Sequence, residues 1–362
     1  MKTSSKVLAS YYLFPVAALY GAIVLPWSVL AMLGHLWAPP GLLSRHGHIH
    51  ELLAGYAIVV VLGYLLGKVS WRLLGGVLFV WVAGRLTFLM APFSGLAVGT
   101  ALLLGLCFAW LTVPRFARSA KKWRNRSLVP LLLLLSLSVV AVALPVAWGR
   151  EAIWVLLMGL CLLMFFMGGR TLAPAVAGHL IRQKIPMPAR VQPNIEGAGI
   201  ILLFLAMGAG WWAPSLAGAC LAVVGVLVLV RMWRWQLWHC KRRWDLLWLA
   251  SGYAWLGVGL LLLGLSFLGH CAWRTAGAHA ITVGALGTLT VTIMARTRMI
   301  QRFRDPNALI SGHVASALMN GAALLRVGQG LLGGVAGLYG AAALWSAAMV
   351  ALGWTCWRSR MA

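Results

Sequence analysis

Residues 46–56 read HGHIHELLAGY, which puts His46, His48 and His50 two apart and Glu51 directly behind them. Imidazole is the commonest protein metal ligand, and a neighbouring carboxylate can orient its second ring nitrogen or carry a proton. In an extended chain the three rings share one face; in a helix His46 and His50 share one and His48 does not. No charge follows Glu51 until Lys68, so a helix is expected to begin near His48. His46 and His48 would then sit in the preceding turn, free to swing toward a metal of their own. Another histidine, His279, opens a second apolar run, HAITVGALGTL, and Arg85 lies inside a third, WVAGRL.

The elements that must position these groups are membrane helices. Of 362 residues 62% are hydrophobic, and only 10% are charged, where a soluble domain has roughly 25%. Apolar stretches of about 20 residues, enough to span a bilayer, recur along the whole chain. The expected fold class is all-α, a polytopic membrane protein forming a single integral membrane domain over residues 1–362. Twelve spans are read at about 11–34, 49–67, 72–90, 94–113, 128–148, 151–169, 197–213, 215–232, 245–268, 277–295, 309–326 and 331–355. The first, from Tyr11, is too long for a signal-peptide core and lacks a small-residue cleavage site, so it reads as a mature helix. Twenty Trp fit interfacial belts. The longest connection, from Gly168 to Glu196, holds Pro174, Pro186, Pro188 and Pro193 and reads as a partly helical segment on the membrane surface. A short echo, WVAGR at the end of span 3 and FMGGR at the end of span 6, is too brief to make a repeat.

The net charge of +25 does not point to nucleic acid. Lys and Arg cluster in short stretches between apolar runs: Arg115 to Arg126, Arg182 to Arg190, Arg231 to Arg243 and Arg296 to Arg304. Basic loops follow the even spans and nearly neutral ones the odd spans, as the positive-inside rule requires. Both termini are predicted cytoplasmic. This sorts the histidines: His35, His46, His48, His50, His270 and His279 toward the outer face, His179, His239 and His313 toward the cytoplasm.

Spans 2 and 10 both enter from outside, and His50 and His279 lie in their first turns. Two imidazoles at one depth on separate helices are what an axially ligated heme requires, and neutral imidazole also suits copper. Ala54 and Ala57 follow His50, and Gly284 and Gly287 follow His279; such small residues let a flat macrocycle or a neighbouring helix approach. His46 and His48 are the candidate copper ligands. Glu51 is expected to orient a histidine N–H. Arg85, costly within a span unless paired, is expected to meet Glu51 or a heme propionate. Arg170 reads as a snorkelling span end and Glu196 as an acid favoured by a helix N-terminus. The six Cys show no metal spacing and read as small core or lipid-facing residues.

The segments HELLAGYAIVVVLGYLL, WVAGRL, FFMGGRTLAP, GYAWLGVGLLLLG and HAITVGALGTLTVTIMARTR, in that order, resemble the NnrS family. The likeness runs roughly from residue 48 to residue 300, the last segment being the most specific. It implies a polytopic bacterial inner-membrane protein linked to the nitric oxide response and to nitrosative stress, carrying heme b and associated with copper. At WLASGYAW, Ala250 and Ser251 stand where the family often has a histidine, so a metal centre using that residue has no counterpart here. The resemblance further implies a quinol-linked redox or nitric-oxide-handling role, with a heme-dependent oxidoreductase acting on nitric oxide or a related nitrogen oxide as its enzymatic form.

By analogy, heme–copper oxidase main subunits also hold low-spin heme ligands on spans 2 and 10 near the outer face. The chain has neither the HH pair nor the HxxxY of their copper-bearing centre, so a single heme is expected rather than a binuclear site. The alternative from another class is a cofactor-free secondary transporter. Transporters place broken helices and ionisable groups near the midplane, whereas the ionisable groups here are expected to gather near the outer boundary.

Overall fold

The structure, a computed structural model, describes residues 6–119, 122–269 and 271–361. Hydrophobic runs become helices because in a bilayer every backbone N–H and C=O must be satisfied within the segment. Twelve helices follow one another: α1 (Ser10–Met32), α2 (Arg45–Leu65), α3 (Trp71–Met90), α4 (Gly95–Ser119), α5 (Trp123–Ala141) and α6 (Glu151–Arg182), then α7 (Pro193–Ala209), α8 (Pro214–Trp233), α9 (Trp244–Phe267), α10 (Arg274–Phe303), α11 (Ile310–Leu332) and α12 (Ala336–Met361). The chain is thus an all-α polytopic membrane protein.

Among the described residues, ten of these helices are long and apolar enough to cross a membrane. The remaining two match predicted spans but fall short for different reasons. With 17 residues, α7 rises only about 26 Å against a hydrocarbon core of about 30 Å. By contrast α11 is long enough, but carries His313, Asn320, Arg326 and Gln329. Phe79, Leu96, Trp110, Leu137 and Leu332 are each more than half exposed, which suits a surface solvated by lipid.

The chain divides into two compact units, one of residues 1–159 with 352–362, the other of 160–351. In the first, a short strand β1 (Lys6–Leu8) pairs antiparallel with β2 (Lys68–Ser70), tying the start of α1 to the link between α2 and α3. There too the Ser136 hydroxyl donates to the Gly105 carbonyl at 2.6 Å. In the second, α8 and α9 interlock through glycines: a Cβ on Gly225 would stand 2.8 Å from the Gly257 carbonyl oxygen, and one on Gly264 would stand 2.6 Å from that of Gly218. Small residues spaced along both helices allow this backbone-to-backbone approach, the usual way membrane helices gain packing without a hydrophobic driving force.

Two expectations from the sequence are corrected. Helix α2 begins at Arg45, capped by the Ser44 hydroxyl, which accepts the Gly47 N–H at 3.0 Å; His46 and His48 are therefore helical, not in a free turn before it. Helix α6 does not stop at Gly169 but continues through a π-helical stretch, Gly168–Leu172, to Arg182. His270 lies outside the described residues. Cys161, Cys220, Cys240 and Cys356 are buried and Cys107 is partly buried, within the core or lipid-facing places expected of them.

Candidate functional site

In α2 the six residues Arg45–His50 are α-helical, Glu51–Ala57 are π-helical, and the α pattern resumes at Ile58. A π segment widens the turn and re-aims the side chains at its start, and such segments recur at functional sites. Here it delivers His50 and Glu51 into the core of the first unit, at 1% and 0% exposure. Glu51 Oε1 accepts from His50 Nδ1 at 2.8 Å and from Arg85 Nη1 at 2.9 Å, while the Tyr20 hydroxyl donates to Oε2. Arg85 is itself 3% exposed. Removing one partner of a buried ion pair is costly; this one draws its groups from three helices, and Arg85 Nε is left buried without a protein partner.

With Nδ1 bonded to a carboxylate, its proton sits there and Nε2 keeps the lone pair. That Nε2 is buried and meets no protein partner. The His50 ring stacks on Phe88 with centroids 3.5 Å apart and planes at 15°. The Trp81 indole donates to the Gly55 carbonyl at 3.0 Å and meets Tyr20 edge-on at 5.0 Å. Gly55 is needed for space: a Cβ there would lie 2.9 Å from Arg85 Nη1.

The other two histidines of the motif turn away to separate partners. His46 Nε2 lies 2.7 Å from the Val142 carbonyl, with the ring edge-on to Phe93. His48 Nδ1 lies 2.7 Å from the Ser28 hydroxyl, which itself donates to the Leu25 carbonyl, so the ring nitrogen is the donor. Among the described residues no group of three or more His, Cys, Asp or Glu is placed to hold a metal ion.

His279, in the second unit, repeats the local architecture of His50. It ends a six-residue α segment, Arg274–His279, followed by a π segment, Ala280–Gly287, and then Thr288–Phe303. No acid follows it; Nδ1 lies 2.8 Å from the Thr275 carbonyl. Gly284 and Gly287 seat protein side chains: a Cβ on Gly284 would be 2.7 Å from the Trp255 indole, and one on Gly287 would be 2.8 Å from Met319 Sδ.

Two buried charge centres escape a sequence reading. Arg231, placed by its sequence in a basic loop, is 1% exposed and donates to Glu196, to the Tyr253 hydroxyl at 3.1 Å and to the Phe165 carbonyl at 3.1 Å. It lies over the rings of Phe165 and Trp235. Glu196, expected only to suit a helix N-terminus, is thus also an ion-pair partner. Asp245, 2% exposed, binds Arg243 through both carboxylate oxygens at 2.8 and 2.9 Å and Arg296 at 3.0 Å. Buried ionisable groups are therefore not confined to the predicted outer boundary; these lie in the last turn of α8 and the first turn of α9, not in the middle of a helix. The only nearby signal in the sequence is the GGR of FMGGR, whose arginine is not the buried one. Arg170 is exposed over Phe166, while Gly169 is the seat of the Arg231 guanidinium.

No curated protein matches the sequence. A family model described as NnrS protein matches residues 11–360 of the 362. The chain therefore belongs to the NnrS family, membrane proteins associated with the nitric oxide response.

Proposed function

We propose that this protein holds a heme b, for which His50 in the first unit and His279 in the second each offer an imidazole ligand. The observation that carries the proposal is the His50 Nε2: buried, without a protein partner, on a ring whose Nδ1 is committed to Glu51. Metal-bound histidines almost always give their second ring N–H to a carboxylate or a backbone carbonyl. His50 has the first arrangement and His279 the second, so both imidazoles fit. A bound heme would supply a redox-active iron with an affinity for small gaseous ligands. Glu51 fixes the His50 tautomer, Arg85 neutralises Glu51, and Tyr20 occupies the second carboxylate oxygen; Phe88 and Trp81 wall the group off from water.

Ala54 and Ala57 are fully buried, and Gly284 and Gly287 are filled by Trp255 and Met319, so the small residues support helix packing rather than room for a macrocycle. Copper at His46 and His48 finds no support, since each ring nitrogen seen bonded goes to a different protein group. Nitric oxide or a related nitrogen oxide is the molecule handled in this reading, and quinol the reductant. The reading places the protein in the bacterial inner membrane with both termini cytoplasmic. A C-terminal reporter active only in the periplasm would overturn that orientation.

The ligand assignment is tested by optical spectroscopy of the purified protein. His50→Ala and His279→Ala should each abolish the heme absorbance or convert a six-coordinate spectrum to a five-coordinate one. His239→Ala, at the opposite boundary, should leave it unchanged. Unaltered spectra in both single variants would refute the assignment.

A further inference from the structure

A cavity of about 470 Å³ lies in the second unit, lined by His179, Gln183, Trp238, His239, Lys241 and Arg242. Four of these six side chains are Lys, Arg or His, and none is acidic. His179 and Gln183 come from the end of α6; the others come from the connection between α8 and α9, which loop charge assigns to the cytoplasmic boundary. The His179 ring faces the backbone of His239 across the gap. Gln236 leads into the short turn Leu237–Cys240 with a φ of 55°, a left-handed conformation a glutamine adopts only when its surroundings impose it. The floor of the turn is inert: Cys240 is buried, and burial pushes its thiol above the ordinary range.

Asp245, the carboxylate whose charge reaches His179, does not line the cavity. Asp245 already spends both oxygens on Arg243 and Arg296. Lys241 and Arg242 are exposed and extend beside two imidazoles, a donor set of cations and N–H groups without a competing anion. That is the chemistry of phosphate recognition. The volume is within the range that holds a small ligand rather than a bare ion. Around the same turn Trp233, Trp238 and Trp244 are 71%, 47% and 54% exposed, with Trp238 against both Trp233 and His239. Exposed indoles beside cations mark the depth of lipid headgroups.

We propose that this cavity binds a phosphate group, supplied either by the headgroup of an anionic lipid or by a soluble phosphate. The site is independent of any heme. The test is native mass spectrometry of the full-length protein in detergent, titrated separately with phosphatidylglycerol and with inorganic phosphate. Wild type should bind one of the two about tenfold more tightly than Lys241→Ala/Arg242→Ala, two cations near a headgroup being worth at least that factor. Both residues are exposed, so the double variant should keep the wild-type melting temperature. Lys241→Arg, which preserves the charge, should keep most of the affinity. Lys241-dependent retention of phosphatidylglycerol that inorganic phosphate does not displace identifies the lipid source; retention of inorganic phosphate alone identifies the soluble one. Equal binding by wild type and the double variant overturns the proposal, as does an equal loss in Arg124→Ala/Arg126→Ala, a basic pair elsewhere.

Discussion

Arg85 in the first unit and Arg231 in the second sit in centres assembled from the same parts. Each guanidinium binds a glutamate, Glu51 or Glu196, and a tyrosine, Tyr20 or Tyr253, completes the network. Each is walled by aromatic rings, and each needs a glycine in a π-helical stretch, Gly55 or Gly169, to make room for it. Their differences are informative. The Glu51 side chain is fully buried while that of Glu196 is 24% exposed. Only the first includes an imidazole with a buried, unpartnered nitrogen. Both centres leave the guanidinium Nε buried and unpartnered; around Arg231 the Trp235 indole N–H and the Gln192 amide oxygen are so too, and none of these nitrogens has a lone pair for a metal. The shared parts are thus a way of burying charge; the chemistry belongs to the atom those parts leave unused.

The sharpest way to break this comparison is to remove each arginine in turn. Arg85→Leu should destabilise the protein by about 3–5 kcal/mol, the cost of leaving one partner of a buried ion pair alone. Arg231→Leu should cost less, because Glu196 can rehydrate. Thermal melts of the two variants in the same detergent compare them directly, and equal losses would mean that the burial of the carboxylate does not matter. The next largest effect should come from Gly169→Ala, whose Cβ would press on both Arg231 and Glu196; overpacking of this kind costs about 1–3 kcal/mol. Gly55→Ala meets only the flexible end of Arg85 closely and should be milder on the same assay. The smallest effect is expected at Arg170, which is exposed: Arg170→Ala should shift stability by no more than about 0.5 kcal/mol. A larger loss there would restore the likeness of WVAGR to FMGGR.

Much of the molecule was legible in advance because the signals are local. A run of about 20 apolar residues specifies a spanning helix wherever it sits, so ten of the twelve predicted spans coincide with helices long and apolar enough to cross a membrane, and the other two with helices that fall short. The misreadings are equally physical. A helix start was placed near His48 because the apolar run begins there, whereas the start is set by a side-chain cap at Ser44. Span 6 is expected to close at Arg170, yet the helix runs on to Arg182, and Gly168 and Gly169 make room beside Tyr253 and Arg231. Arg231 and Arg296 were counted as loop charge because positive-inside reasoning sees only the sequence distance to a span.

By itself the sequence determined the class of protein, the order of its helices and the predicted side on which each histidine lies, since hydrophobicity and loop charge act residue by residue. Tertiary structure settled the partner of Arg85 on Glu51, 34 positions away and one of the two anions expected for it, and alone paired Glu196 with Arg231, 35 away. Such pairings depend on how each helix is rotated, and one extra residue in a π segment turns everything beyond it by about 100°. Apolar periodicity does not record that shift, because in a helix that is hydrophobic on every face nothing in the sequence says which side will be buried.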